Sequence, residues 1–360
     1  MFAQPLQLIQ SEIVSRTLGV QAGRRAGVLA FFGVIAGSAW FLRAETTTLP
    51  FAALSVLVLV FASLSLARSL RRDTGRQLGP YRLDEKIGEG GMGVVYKASH
   101  EFLQRPAAIK LLPADRAGER DRRRFEREVQ LTSRLTHPNT ISIYDYGRTA
   151  EGTFYYAMEY LEGLDLQTLV ERHGPQDPAR VANLLAQLTA ALGEAHRVGL
   201  VHRDVKPANV MLCERGGVKD VVKVLDFGLI KSLDSRSNGT DTDIDRIVGT
   251  PLYLSPEALT APETVDARSD LYAVGALGYF LLTGVPPFSG RNVLEVCGHQ
   301  LHSTPVPPSQ RLGHDLPREL EALLLRCLAK SPADRPQTAA ELHRAFSRMA
   351  AACCQTDLAA

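Results

Sequence analysis

Val201-His202-Arg203-Asp204-Val205-Lys206-Pro207-Ala208-Asn209 places an acid, a cation and an amide within one short loop, directly after an amphipathic run from about Pro178 to Val198. Moving a phosphoryl group requires a proton acceptor for the attacking hydroxyl, positive charge near the transferred group, and oxygen ligands for a divalent ion. Asp204 can orient and deprotonate a hydroxyl, Lys206 can neutralise phosphoryl charge, and Asn209 offers an oxygen to a metal. Downstream, Val224-Leu225-Asp226-Phe227-Gly228 ends a β-type run on a second oxygen ligand, and hard carboxylate oxygen suits Mg²⁺.

Upstream, Ile87-Gly88-Glu89-Gly90-Gly91-Met92-Gly93-Val94-Val95 reads as strand, glycine turn, strand. Glycine lets backbone N–H groups approach phosphate closely. A dinucleotide-binding turn has the same glycine spacing but needs a helix next, and Val94-Val95-Tyr96 reads as a strand. Further on, Lys110 is the one charge in the apolar run Ala107 to Leu112, and a buried cation needs an anion. Phe125, Glu128, Thr132 and Leu135 recur at helical spacing, which places Glu128 on the inward stripe as a candidate partner. The alternative is that Lys110 snorkels and Glu128 belongs to a solvated face.

The motifs Gly88 to Val95, Ala108-Ile109-Lys110, His202-Arg203-Asp204 with Asn209, Asp226-Phe227-Gly228 and Ser255-Pro256-Glu257 resemble the protein-kinase set in order and spacing. The resemblance covers about Tyr81 to Phe346 and is similar to the eukaryotic-type (Hanks-type) Ser/Thr kinases of bacteria. It implies an α+β, bilobal fold with a β-rich N-lobe (81–158), a hinge (159–163) and a helical C-lobe (164–346), followed by a tail (347–360). It further implies ATP and Mg²⁺ as cofactors, with Mn²⁺ as an alternative ion, and protein Ser/Thr hydroxyls as substrates.

Carried onto this sequence, the family pattern makes Asp204 the catalytic base, with Lys206, Lys110 and Glu128 completing the catalytic set. The glycine loop from Ile87 through Gly88, Glu89, Gly90, Gly91, Met92, Gly93 and Val94 to Val95 would cover the phosphates. Adenine would lie between Ile87, Val95 and Ala108 above and Met211 below, with Met158 as gatekeeper and Glu159 to Leu161 as hinge. Asn209 and Asp226 would bind the metal, and Thr250 would contact the catalytic Asp and Lys. Asp270 and Arg335 match structural positions, with Arg335 expected to pair with Glu257.

Arg203 beside Asp204 resembles the arginine that grips an activation-loop phosphate. The loop from Asp226 to Glu257 offers Thr242 and Thr240 as phosphorylation sites, interleaved with Asp241, Asp243 and Asp245, and Arg246 stands near the position where many kinases carry their phosphothreonine. These carboxylates are expected to substitute partly for phosphate.

The first 80 residues differ from the rest. They carry eight arginines against three acids, net +5, while the remaining 33 basic and 36 acidic residues give −3, so the overall +2 conceals two unlike parts. Residues 26–42 and 49–67 are charge-free, each close to the length of a membrane-crossing helix. Only residues 43–48 join them. Arginines flank the outer ends (Arg16, Arg24, Arg25; Arg68, Arg71, Arg72, Arg76), so a hairpin with both ends cytoplasmic is expected. The expectation is therefore a multi-pass inner or plasma membrane protein with a cytoplasmic catalytic domain. A signal peptide and a buried core hairpin are the alternatives for these segments.

Residues 1–25 suit one face of a helix through Phe2, Leu6, Ile9 and Ile13, and residues 68–80 form a basic linker. Gly33 and Gly37 can pack helices within the hairpin or between two chains as a homodimer. Five cysteines without CxxC spacing argue for reduced thiols, and Cys353-Cys354 is read as part of an unstructured tail. Acids interspersed around Arg122-Arg123-Arg124 argue against a nucleic-acid partner. Two rivals remain: a membrane-tethered pseudokinase acting as a binding module, and a small transport unit, disfavoured because the apolar stretches hold no ionisable residue.

Overall fold

The computed structural model describes residues 75–90, 93–112, 126–127, 129–149, 152–227 and 251–357. Packing divides the chain between Thr74 and Gly75, and all described residues belong to the second unit. The two apolar stretches, Gly91, Met92, Glu128, Gly228, Thr240, Thr242 and Thr250 lie outside the described residues. Among those described, no helix is long and apolar enough to cross a membrane.

A six-stranded antiparallel sheet builds the first lobe, from β1 (Gln77–Leu78), β2 (Tyr81–Gly90), β3 (Gly93–His100), β4 (Pro106–Leu111), β5 (Ile143–Arg148) and β6 (Phe154–Glu159), in the order β1-β2-β3-β4-β6-β5. β1 lies inside what the sequence predicts to be a linker. Leu78 explains why: it is buried against Leu83, Ala98 and Ile109, so the lobe starts a few residues before Tyr81. Successive strand residues face opposite sides of a sheet. Ala107, Ile109, Tyr155 and Ala157 accordingly enter one apolar cluster, while Ala108, Tyr156 and Met158 enter another, facing the second lobe.

The second lobe is helical, with a small sheet of β7 (Gly163–Asp165), β8 (Val210–Arg215) and β9 (Val218–Val224) lying next to the cleft. Its helices are α1 (Leu166–His173), α2 (Pro178–Arg197), α3 (Pro256–Thr260), α4 (Ala267–Thr283), α5 (Val293–His302), α6 (Pro308–Leu312), α7 (Arg318–Cys327) and α8 (Ala339–Asp357). α2 starts where Asp177 accepts from the Ala179 N–H and Pro178 occupies the first helical turn, a strong local start signal. α4 is buried continuously from Ser269 to Thr283. A Cβ at Gly275 would meet the Cys327 Cβ at 2.5 Å, and one at Gly278 would meet Leu324 at 2.5 Å, so only hydrogen at these two positions lets α7 pack this closely.

The expected surface turn after Cys213 is the β8–β9 hairpin, closed by Gly216 and Gly217 at positive φ. The expected tail is different: α8 runs on to Asp357 through Cys353 and Cys354, since the alanine-rich stretch contains no Pro or Gly to stop it.

Arg335 is fully buried and forks onto both oxygens of Glu257 at 2.7 Å each, while also donating to the carbonyls of Ala329, Lys330 and Arg268. The pairing expected from the sequence is present. Burial pushes the Glu257 carboxyl up, but hydrogen bonds from Arg335 and Ser269 outweigh it and hold it down at about 2. Arg335→Ala, which strands a buried carboxylate, is expected to lower unfolding free energy by about 3–5 kcal/mol. Breaking the exposed Arg326–Glu341 pair is expected to cost below about 1 kcal/mol. Denaturant titration distinguishes the two. Because the folded carboxyl titrates below its unfolded value, the Glu257 contribution is complete at neutral pH and is lost as pH falls from about 4.5 towards about 2. Unfolding midpoints of wild type and Glu257→Gln should therefore converge in that window.

Candidate active site

The loop between α2 and β8 is held from beneath. Asp270 on α4, 1% exposed, accepts from the backbone N–H of His202 and of Arg203 at 2.8 Å each, and lies 2.7 Å from His196 Nε2. These bonds stabilise Arg203 at φ +62°, a left-handed conformation that a side-chain-bearing residue rarely adopts. The His202 ring is buried, contacts the Leu225 carbonyl at 2.9 Å and packs on Phe227 with centroids 4.6 Å apart. The loop is thereby tied to the segment that carries Asp226.

Asp204, Lys206 and Asn209 form one hydrogen-bonded unit. Lys206 Nζ donates to Asp204 Oδ2 at 2.7 Å, and Asn209 Nδ2 donates to the same oxygen at 2.9 Å and to the Asp204 carbonyl at 2.8 Å. Charge-assisted bonds of this kind fix the carboxylate plane. With its nitrogen committed to Asp204, Asn209 keeps its carbonyl oxygen for a cation.

Across the cleft, Lys110 is 3% exposed and pairs with Asp226, Nζ to Oδ2 at 2.6 Å. The sequence predicts Glu128 as its anion; Glu128 lies outside the described residues, and the anion observed at Lys110 is Asp226. The second Asp226 oxygen accepts from the Tyr156 hydroxyl at 2.7 Å. Burial raises the Asp226 carboxyl, but the Lys110 charge and the hydrogen bonds from Lys110 and Tyr156 outweigh it and keep it below the ordinary carboxylate range. Asp226 is therefore ionised at neutral pH, and a quarter of its side chain stays open. Asn209 and Asp226 together offer the hard oxygens that Mg²⁺ prefers.

The residues expected around adenine are partly gathered. Val95, Ala108, Met158 and Leu161 share one apolar cluster with Leu225, whereas Ile87 is 46% exposed on β2 and Met211 is half-buried on β8. In the glycine loop, a Cβ on Gly93 at φ +119° would meet the Leu111 carbonyl oxygen at 2.1 Å, so the tight strand exchange there demands glycine. At Gly88 a Cβ would meet only Val95 at 3.8 Å. Packing does not require glycine at that position, and the space left is what a phosphate-binding loop needs. Glu89 pairs with Lys86 on the surface.

Glu159, the last residue of β6, reaches the β8–β9 hairpin through its side chain, 2.5 Å from Arg215 and 2.9 Å from Lys223. The sequence reading missed both this link and Tyr156. The one sequence signal for Tyr156 is its place two residues before Met158 on the same strand face.

The family described as protein kinase domain matches residues 81–347. The chain belongs to the protein kinase family. The kinase domain is 41% identical over 262 residues to the Ser/Thr-protein kinase pkn3 of Myxococcus xanthus, a match covering 72% of this chain and 48% of that protein. It is 42% identical over 275 residues to the Ser/Thr-protein kinase PknB of Mycolicibacterium smegmatis, covering 75% and 43%. The chain thus spans less than half the length of these relatives. Among solved structures it resembles the PknI kinase domain of Mycobacterium tuberculosis, with a TM-score of 0.58 and 30% identity over 77% of this chain and 98% of that one. The bilobal architecture expected from the sequence is the family's fold.

Replacing Asp270 by Ala removes the acceptor of two backbone N–H groups, and stranding the buried one, on His202, costs about 1–3 kcal/mol. It also releases the strained turn at Arg203. Asp270→Ala is expected to lose stability by at least that amount. It should also lose more phosphoryl transfer than the stability loss explains, measured well below the unfolding midpoint.

Proposed function

We propose that this chain is a membrane-anchored Ser/Thr protein kinase that transfers the γ-phosphoryl group of ATP to Ser or Thr hydroxyls of proteins. One observation carries the reading: Asp204 is bonded to Lys206 and Asn209, and its loop is tied through His202 and the Leu225 carbonyl to the segment whose Asp226 pairs with Lys110 of the first lobe. A binding module without transfer has no need of all five groups together.

In the reaction, Asp204 orients the substrate hydroxyl and takes its proton as the oxygen bonds to the γ-phosphorus and the bond to the bridging oxygen breaks, leaving ADP. Lys206 adjoins Asp204 and offsets the phosphoryl charge. Lys110 is placed to hold the α- and β-phosphates. Asn209 and Asp226 would hold Mg²⁺, or Mn²⁺, whose charge neutralises the phosphates when bound. The Asp204-to-Asn209 sequence with lysine at 206 resembles Ser/Thr rather than tyrosine kinases.

The membrane part rests on the apolar stretches 26–42 and 49–67 and their flanking arginines, which would hold the domain at the cytoplasmic face of the inner or plasma membrane. The Gly33–Gly37 spacing offers a helix-packing face within one hairpin or between two chains. Arg203 and the hydroxyls of Thr240, Thr242 and Thr250 are the proposed regulatory groups, with Asp241, Asp243 and Asp245 supplying part of the negative charge that phosphate would bring.

Mg²⁺-dependent incorporation of labelled phosphate into a protein substrate by the full chain tests transfer: Asp204→Ala is expected to lose at least about 100-fold, and equal incorporation by wild type and variant would overturn the reading. A second assay addresses the loop. The Thr240→Ala, Thr242→Ala double variant is expected to keep a substantial basal rate, and near-total loss of turnover would show that the carboxylates do not stand in for phosphate.

A further inference from the structure

We propose that Tyr156 is a positioning residue for the metal-binding carboxylate of Asp226; this assignment rests on the kinase reading above. β4 and β6 are antiparallel neighbours with Lys110 directly opposite Tyr156, and directly opposed residues project from the same face of a sheet. Both side chains reach the same carboxylate from that face: Lys110 takes Oδ2 at 2.6 Å and the Tyr156 hydroxyl takes Oδ1 at 2.7 Å. Tyr156 is 1% exposed and its ring lies in an apolar cluster with Ala108, Val129, Ile141 and Met158. A phenylalanine would fill that volume. Burying a hydroxyl is unfavourable without a hydrogen-bond partner, and here the partner is Asp226.

The two donors differ in what else they serve. In the proposed reaction Lys110 must also meet the phosphates of ATP, while among the described residues the Tyr156 hydroxyl bonds to Asp226. The terminal torsion of an aspartate is broad and two-fold, so a carboxylate that keeps one fixed donor retains its plane when the other turns to a substrate. Tyr156 thus holds Oδ1 and presents the remaining oxygen in a constant direction. Hydrogen-bond partners of this kind change metal affinity by about 10–100-fold when removed.

The experiment compares full-length wild type with Tyr156→Phe, which keeps the ring, and with Tyr155→Phe, a hydroxyl deletion on the opposite face of the same strand. Mn²⁺ affinity in the presence of a non-hydrolysable ATP analogue, read from the electron-paramagnetic-resonance signal of free Mn²⁺, is expected to weaken about tenfold or more in Tyr156→Phe and to stay unchanged in Tyr155→Phe. In turnover, the Mg²⁺ concentration giving half-maximal rate should rise in parallel, with the rate at saturating Mg²⁺ within about threefold of wild type. Unchanged Mn²⁺ affinity in Tyr156→Phe overturns the assignment, as does a fall in maximal rate with no change in Mg²⁺ dependence. Absence of phosphate incorporation by wild type would refute the kinase reading instead, and the Mn²⁺ comparison would still decide the role of Tyr156.

Discussion

A single buried carboxylate underlies the geometry of the cleft. Asp270 sits on α4, almost wholly out of water, and binds two consecutive backbone N–H groups and one imidazole. Taking a carboxylate out of water is costly, and several hydrogen bonds to the charged form are what offset it. The geometry of those bonds then dictates the path of the chain above. His202 and Arg203 are drawn down onto the helix, Arg203 is turned to φ +62°, and Asp204 emerges toward the cleft in one orientation. α4 can act as such a base because it is buried along nearly its whole length and packed to contact distance against α7.

A second carboxylate joins the two lobes. Asp226 belongs to the segment after β9, yet both of its oxygens are held by donors from the first lobe's strands, Lys110 and Tyr156. The end of β6 adds another charged link, Glu159 to Arg215 and Lys223. His202 and Phe227 connect the Asp270 system to the Asp226 system by ring contact. The candidate catalytic groups are therefore arranged by a chain of hydrogen bonds and ring contacts running from α4 through the loop to β6.

Much of this was legible in the sequence, for a physical reason. Phosphoryl chemistry constrains residue type and spacing within short segments, so Asp204, Lys206, Asn209 and Asp226 declare themselves locally. The strand, glycine turn and strand around Gly93 follow from the need for glycine at the Leu111 carbonyl, and the start of α2 follows from Asp177 and Pro178. The Arg335–Glu257 pair was legible through the family resemblance. What escaped is what depends on strand register and tertiary approach. The Lys110–Asp226 pair joins residues 116 positions apart, a contact no local spacing signals, while the helical partner the sequence assigns to Lys110, Glu128, lies outside the described residues. Tyr156 reads as one more aromatic strand residue until β6 is laid beside β4. Leu78 and the last turns of α8 differ from the linker and tail that the sequence predicts: burial of Leu78 depends on tertiary packing, and the lack of Pro or Gly permits α8 to continue without requiring it.

Tyr156 and Met158 lie two residues apart on one face of β6, so a phenol hydrogen-bonded to Asp226 stands beside the methionine. A compound that filled the nucleotide site proposed above and extended past the methionine would meet a phenol already engaged with a carboxylate. Such a compound would have to supply its own donor to the acid or acceptor to the phenol, or forfeit binding energy to a broken hydrogen bond. The same contact thus makes polarity, as well as shape, a condition of binding at that depth.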